Sequence, residues 1–279
     1  MNFKDKVVIV TGSATGIGAA CVRMLATRGT RVVVNYSRNA EAAEATVQAC
    51  REAGGEALAV QADVSQDADC RRMAQAALDA WGRIDGLVNN AGGQYPAPLA
   101  TIKAKGWETV LRNNLTGGFL MARECYTQWM EEHGGAIVNI IADMWLGMPG
   151  MGHSGAARAG MLNFTETAAL EWAPVRSNAV APGWIASSGM DQYPPEMGPL
   201  IRGMTKLVPA RRLGTESEVS AAIVYLLSPA AGFISGACLR VDGAAPNAKR
   251  IWPEVGNGES PEAFNGFHLA TTPKVLQGD

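Results

Sequence analysis

The chain has 279 residues, 47% of them hydrophobic, enough to bury a sizeable core. Its formal net charge of -2, with no long run of one sign, argues against nucleic acid or an anionic membrane surface as a partner. Cys21, Cys50, Cys70, Cys125 and Cys238 are dispersed without CxxC spacing, so neither a disulfide framework nor a metal site is expected, and no apolar run reaches the ~18 residues of a membrane span.

Val7-Val-Ile-Val10 is an apolar run with the length of a buried parallel strand. Gly12, Gly16 and Gly18 interrupt it, and residues 19–26 follow with helical spacing. Strand, glycine turn and helix in that order let backbone N–H groups approach a diphosphate at a helix N-terminus. Residues 30–35 predict a second strand, and 40–53 a helix stopped by Gly54-Gly55. A third strand is expected over 56–62, followed by Asp63-Val64 and a helix over 67–81. A fourth strand at 84–89 runs into Asn89-Asn-Ala-Gly92. Residues 105–132 read as one long helical region, 136–141 as a fifth strand and 154–172 as a helix. The sixth strand, 175–181, ends at Pro182-Gly183; a helix over 216–227 and a strand over 238–241 close the alternation.

Repeated βα units predict an α/β fold: a Rossmann-type doubly wound parallel sheet flanked by helices, a single domain over residues 1–245. Ligands bind such sheets at the carboxyl ends of the strands, where the motifs fall. Residues 184–206 form the largest insertion, a substrate loop, and 246–279 an irregular C-terminal tail packed on the domain or on a neighbouring subunit. No secretory leader is read, and the closing Leu-Gln-Gly-Asp279 matches no peroxisomal address, so a cytoplasmic location is expected.

Together these motifs resemble the short-chain dehydrogenase/reductase family over about residues 5–245. The resemblance implies that Gly12, Ser13, Thr15, Gly16, Ile17 and Gly18 line the cofactor turn and that Asp63 and Val64 contact adenine. It also implies that Asn90, Ala91 and Gly92, with Pro182, Gly183 and Ile185, face the nicotinamide end, and that Asn114 is the active-site asparagine. By their own chemistry Asp63 also reads as a helix cap, although its strand-end placement favours the cofactor role, and Asn114 as a helix residue bonded to backbone. A small-molecule or acyl-thioester substrate and a homo-oligomer, tetrameric by resemblance, are implied; no nucleic acid, membrane or metal is.

Cofactor choice has its own argument. A carboxylate after the second strand suits the ribose 2′-hydroxyl of NAD, and an arginine suits the 2′-phosphate of NADP. The strand here runs into Val34-Asn-Tyr-Ser-Arg38, with no carboxylate before Glu41. Ser37 and Arg38 therefore predict NADP(H), against the alternative that Arg38 is a solvated surface charge.

Most of the family uses a serine, then Tyr-x-x-x-Lys. The matching stretch is His153-Ser-Gly-Ala-Ala-Arg158-Ala-Gly160, with Ser154 at the tyrosine position, Arg158 at the lysine position and Ala142, or Ile141, at the upstream serine. This replacement resembles the NADPH-dependent trans-2-enoyl-CoA reductases, relatives of the 2,4-dienoyl-CoA reductases. Ala169-Leu-Glu-Trp-Ala173 and the segment from Leu226 to Gly236 resemble the same branch, whereas Leu162 stands where that branch has a proton-donating tyrosine. The expectation is hydride transfer from NADPH to an enoyl thioester. Asn114, Ser154 and a water would stabilise the developing enolate, and Arg158 would position the nicotinamide ribose. Water, His153 or Tyr193 would supply the final proton; His153 reads equally as a structural residue at the helix start, and Ser154 as a helix cap. Two alternatives stay open: a carbonyl or alcohol oxidoreductase with an atypical proton relay, and a non-catalytic NADP-binding module. The Met-rich stretch 143–151, with Trp184, Met190, Tyr193, Met197 and Met204, reads either as tolerant walls for an acyl chain or as packing. Ser177 replaces an expected apolar residue in a segment, 172–178, about two residues short of the family's.

Overall fold

The computed structural model describes residues 3–187, 189–190, 195–245, 261–264 and 273–277; Tyr193 lies outside them, as does most of the tail. The strands are β1 (Val7–Val10), β2 (Arg31–Tyr36), β3 (Glu56–Gln61), β4 (Gly86–Asn89), β5 (Ala136–Ile140), β6 (Arg176–Pro182), β7 (Ile185–Ala186), β8 (Gly214–Thr215) and β9 (Cys238–Val241). Seven of them form one parallel sheet in the order β3-β2-β1-β4-β5-β6-β9, while β7 and β8 pair apart from it. Every residue of β1, β4 and β5 is buried, as their near-continuous apolar sequences require of central parallel strands. The chain steps outward from β1 to β3, then returns to β4 on the other side of β1. That reversal opens a crevice between the β1 and β4 ends.

The helices are α1 (Gly16–Ala26), α2 (Ala40–Glu52), α3 (Asp67–Trp81), α4 (Ala104–Leu111), α5 (Gly117–Cys125), α6 (Glu131–His133), α7 (Gly152–Glu171), α8 (Gly198–Gly203) and α9 (Glu216–Leu227). Side chains alternate along each strand, so Val8 and Val10 pack with α1, α2 and α9, while Val7 and Ile9 pack with α3 and α5. Met161 of α7 joins Ile141, Ala179 and Ala181 in a smaller core. Among the described residues no helix is long and apolar enough to cross a membrane.

Three local expectations are revised. The helical region over 105–132 is α4, α5 and α6 joined through π-helical turns at Arg112–Thr116 and Tyr126–Met130. The helix expected from residue 154 starts at Gly152, with Met151 as its cap, so Ser154 lies inside the first turn and is not an N-cap. The short segment before β6 closes tightly: Val175 N donates to Trp172 O at 2.9 Å, and Trp172 stacks on Tyr126. Ser177 then pairs opposite Ile137, leaving strand geometry intact.

The substrate loop has its own small core of Met190, Ile201, Met204 and Leu213, onto which Val275 and Leu276 pack. Arg202 Nη1 donates to Val275 O at 3.3 Å, Arg212 Nε to Pro261 O at 2.9 Å, and Thr215 Oγ1 to Phe264 O at 2.7 Å. The described pieces of the tail thus lie on the substrate loop and the start of α9.

Candidate active site

The glycine turn is built by close approach. Gly12 has φ +60°, and a Cβ there would lie 2.8 Å from Ala91 Cα. A Cβ on Gly18 would lie 2.6 Å from Asn90 Nδ2 and 2.7 Å from Gly12 O. Asn90 Nδ2 donates to Thr11 O and Gly12 O at 2.9 and 3.0 Å, and Thr11 Oγ1 accepts the N–H groups of Asn90 and Ala91. These bonds lace the β1 loop to the β4 loop across the crevice. Gly16 (φ +63°) is open: a Cβ would meet only Glu216 Oε1, at 3.8 Å. The amides of Gly16, Ile17 and Gly18 sit in the first turn of α1, where no intrahelical carbonyl is available to them, and they carry the positive end of the helix dipole. Space, free amides and positive potential fit the diphosphate of a nicotinamide dinucleotide.

Ser13 has a structural task. It is fully buried, its Oγ donating to Val10 O at 2.7 Å and accepting Asn35 N at 3.0 Å. Thr15 is exposed at the cap of α1 with no side-chain cap bond. Asn35, to which the sequence alone assigns no role, holds the turn: its Oδ1 accepts Gly12 N at 2.9 Å, and its Nδ2 donates to Ala62 O at 3.1 Å. The available signal is a polar residue closing an apolar run, since Asn35 is buried directly after Val32, Val33 and Val34. Ser37 and Arg38 stand exposed just past β2, and the Arg38 side chain meets no carboxylate among the described residues. Asp63 is exposed, its Oδ1 accepting Ser65 N at 2.9 Å; Gln66, not Asp63, caps α3. Val64 is buried against Gly117. Pro182 ends β6, Gly183 N donates to Val241 O, and Ile185 sends its side chain into the core.

At the carboxyl ends of β4 and β5 the predicted residues converge. Asn114, in the first π-helical turn, donates from Nδ2 to Gly93 O at 2.6 Å and to Val110 O at 2.8 Å, and its Oδ1 accepts Gly93 N. Both amide hydrogens are thus engaged, so Asn114 shapes the loop after β4 and has none left to donate to a substrate oxygen. Arg158 Nη1 donates to Ile140 O at 2.7 Å, and a Cβ on Gly92 would lie 2.7 Å from its Nη2. Its Nε is buried without a partner among the described residues, and burial pushes its pKa down to about 10, leaving it charged at neutral pH. Ser154, fully buried one helical turn before Arg158, places Oγ 2.5 Å from Gln94 Oε1. Gln94 belongs to no motif in the sequence.

His153 is fully buried, with the Tyr95 ring edge-on at 4.7 Å. Its Nδ1 accepts Ser154 N at 2.9 Å, and its Nε2 is buried with no partner among the described residues. Asp143, one residue past Ala142, has its carboxyl pushed up by burial and by Asp242, with Arg240 opposing. Burial pushes the thiols of Cys21 and Cys50 up to about 12, so neither is a nucleophile at neutral pH. Among the described residues no cluster could hold a metal ion. Met190 and Met204 are buried in the loop's own core, whereas Trp145 and Trp184 are exposed.

The fold and glycine turn define a dinucleotide-binding α/β protein. A family model described as enoyl-(acyl carrier protein) reductase matches residues 12–244. The 3-oxoacyl-(acyl-carrier-protein) reductase of Synechocystis sp. is 39% identical over 243 residues, 85% of this chain and 96% of the relative. A Bacillus subtilis protein named "Probable 2,4-dienoyl-CoA reductase" is 35% identical over 246 residues, 86% of this chain and 96% of the relative. The solved structure of the citronellol catabolism dehydrogenase AtuB of Pseudomonas aeruginosa PAO1 is 50% identical, with a TM-score of 0.78 over 87% of this chain and 95% of that one. The chain belongs to the short-chain dehydrogenase/reductase family.

Proposed function

We propose that the chain reduces an enoyl thioester with NADPH. What supports this is the pair Ser154 and Arg158, four residues apart on α7, which the sequence resemblance assigns to the positions where most of the family has tyrosine and lysine. A buried serine hydroxyl and a charged guanidinium can donate hydrogen bonds but cannot pass a proton near neutral pH. Reducing a ketone requires a proton on its oxygen. Reducing a conjugated alkene requires only stabilisation of negative charge there, because the proton goes to carbon. Bound NADPH supplies a hydride, one hydrogen with two electrons. The new C–H bond forms at the β-carbon, the π pair moves onto the thioester as an enolate, and one solvent proton then bonds the α-carbon.

In this reading Gly16, Ile17 and Gly18 hold the diphosphate, Ser37 and Arg38 the 2′-phosphate, and Asp63 with Val64 the adenine. Gly92, Pro182 and Gly183 flank the nicotinamide, and Arg158 steadies its ribose. Stopped-flow NADPH oxidation with straight-chain and methyl-branched enoyl-CoA thioesters tests the activity. Turnover is expected, with KM for NADPH well below that for NADH and the preference lost in Arg38→Ala. A second reading draws on relatives named 3-oxoacyl reductase and citronellol catabolism dehydrogenase. Reduction of 3-oxoacyl thioesters, or oxidation of citronellol, without enoyl turnover would favour it.

A further inference from the structure

The loop that follows β4 is fastened to the start of α7. Gly93 is clamped by Asn114, the Tyr95 ring meets His153, and Ala97 N donates to Gly150 O at 2.8 Å. Leu99 covers Gly152, where a Cβ would lie 2.7 Å from its Cδ1. Gln94 is therefore held between fixed neighbours, two residues past Gly92 and on the crevice side of the sheet. Ser154 has no exposed surface, and its single hydroxyl hydrogen points to Gln94 Oε1. Gln94 is exposed, and its Nε2 has no partner among the described residues. Turning the carboxamide over changes little. Nε2 would then give one hydrogen to Ser154 Oγ and keep the other, and the serine hydrogen would still be sealed from any ligand.

We infer that Gln94 is the catalytic residue that donates an N–H to the thioester oxygen of the substrate, and that Ser154 is the positioning residue that aims it. A neutral carboxamide suits the task, because it stabilises a developing enolate without a titratable proton. Anchoring it on a buried hydroxyl removes side-chain freedom before the substrate arrives. The inference rests on the enoyl-thioester reading above.

The test compares Gln94→Glu, Gln94→Ala and Ser154→Ala. Gln94→Glu keeps an oxygen for Ser154 but removes the donor, so kcat for crotonyl-CoA should fall about 10²–10³-fold with a smaller change in KM. Ser154→Ala leaves the donor present but loose and should cost about tenfold. NADPH affinity by fluorescence should be unchanged in all three. A second readout needs no turnover: the infrared carbonyl band of 1-¹³C-butyryl-CoA bound with NADP+. It should lie lower in the wild type than in Gln94→Glu, with Ser154→Ala between them. If Ser154→Ala is the more damaging change and Gln94→Glu is mild, or if the band is the same in every variant, the assignment is overturned. Wild-type turnover of 3-oxoacyl thioesters alone would sink the enoyl reading but not the donor, whose variant order is then read on the ketone. A wild type that binds no thioester would overturn both.

Discussion

Ser177 sits in β6 with 1% of its surface exposed and a hydroxyl that meets no partner among the described residues. A buried unsatisfied hydroxyl is a cost, so Ser177→Ala should stabilise the protein by about 1 kcal/mol, read as a rise of roughly 2–4 °C in Tm. A lower Tm would show that the hydroxyl is satisfied. Asp85 is the opposite case. Burial alone would raise its carboxyl, but hydrogen bonds from Arg83, the Val7 amide and Lys6 outweigh it and hold the group below its ordinary value. A depressed folded pKa contributes stability above the unfolded value of about 4, and that contribution is lost as pH falls through the folded value. Asp85→Asn should therefore cost about 2 kcal/mol in urea melts at neutral pH, with the gap closing as pH falls below the ordinary carboxylate range. A gap independent of pH would contradict the assignment.

At the scale of the element, two glycines separate backbone strain from close approach. Gly54, past the end of α2, has φ +90° with nothing within 4 Å of where a Cβ would stand, so only conformational strain opposes a side chain. Gly54→Ala should cost about 1–2 kcal/mol and leave NADPH binding untouched. Gly18 has ordinary φ but no room, because its Cβ would push Asn90 off Thr11 and Gly12. Gly18→Ala should weaken NADPH binding at least about tenfold and destabilise the fold by about 2 kcal/mol; fluorescence titration and thermal melts on both variants separate the two effects. The strand runs and the glycine turn were legible because each is a local pattern, a buried strand needing apolar residues and a tight turn needing glycine. The π-helical turn that aims Asn114 was not, since its ends keep right-handed helical dihedrals and no local pattern sets a π-turn apart from an α-turn.

For the whole molecule, the tail is tied to the substrate loop through Val275, Leu276, Pro261 and Phe264. Removing residues 261–279 should leave the far-ultraviolet circular dichroism and NADPH affinity unchanged, because the described residues among them lie on the substrate loop and the start of α9, not on the seven-stranded sheet or glycine turn. The KM for substrate should rise about threefold to tenfold, and limited proteolysis should cut within 184–206 sooner. Unchanged KM and cleavage would remove the tail from any role in holding the loop.

Local chemistry by itself determined the alternation of strands and helices, the glycine turn between β1 and α1, and the placing of Ser154 and Arg158 on one face of a helix, because each rests on neighbours within one or two turns of chain. Only the tertiary structure decided which groups still have a hydrogen to offer. Gln94 meets Ser154 across 60 residues and Asn35 meets Gly12 across 23. Such bonds obey no periodicity, so a sequence that names the polar residues of a site leaves open which of them are already engaged with each other.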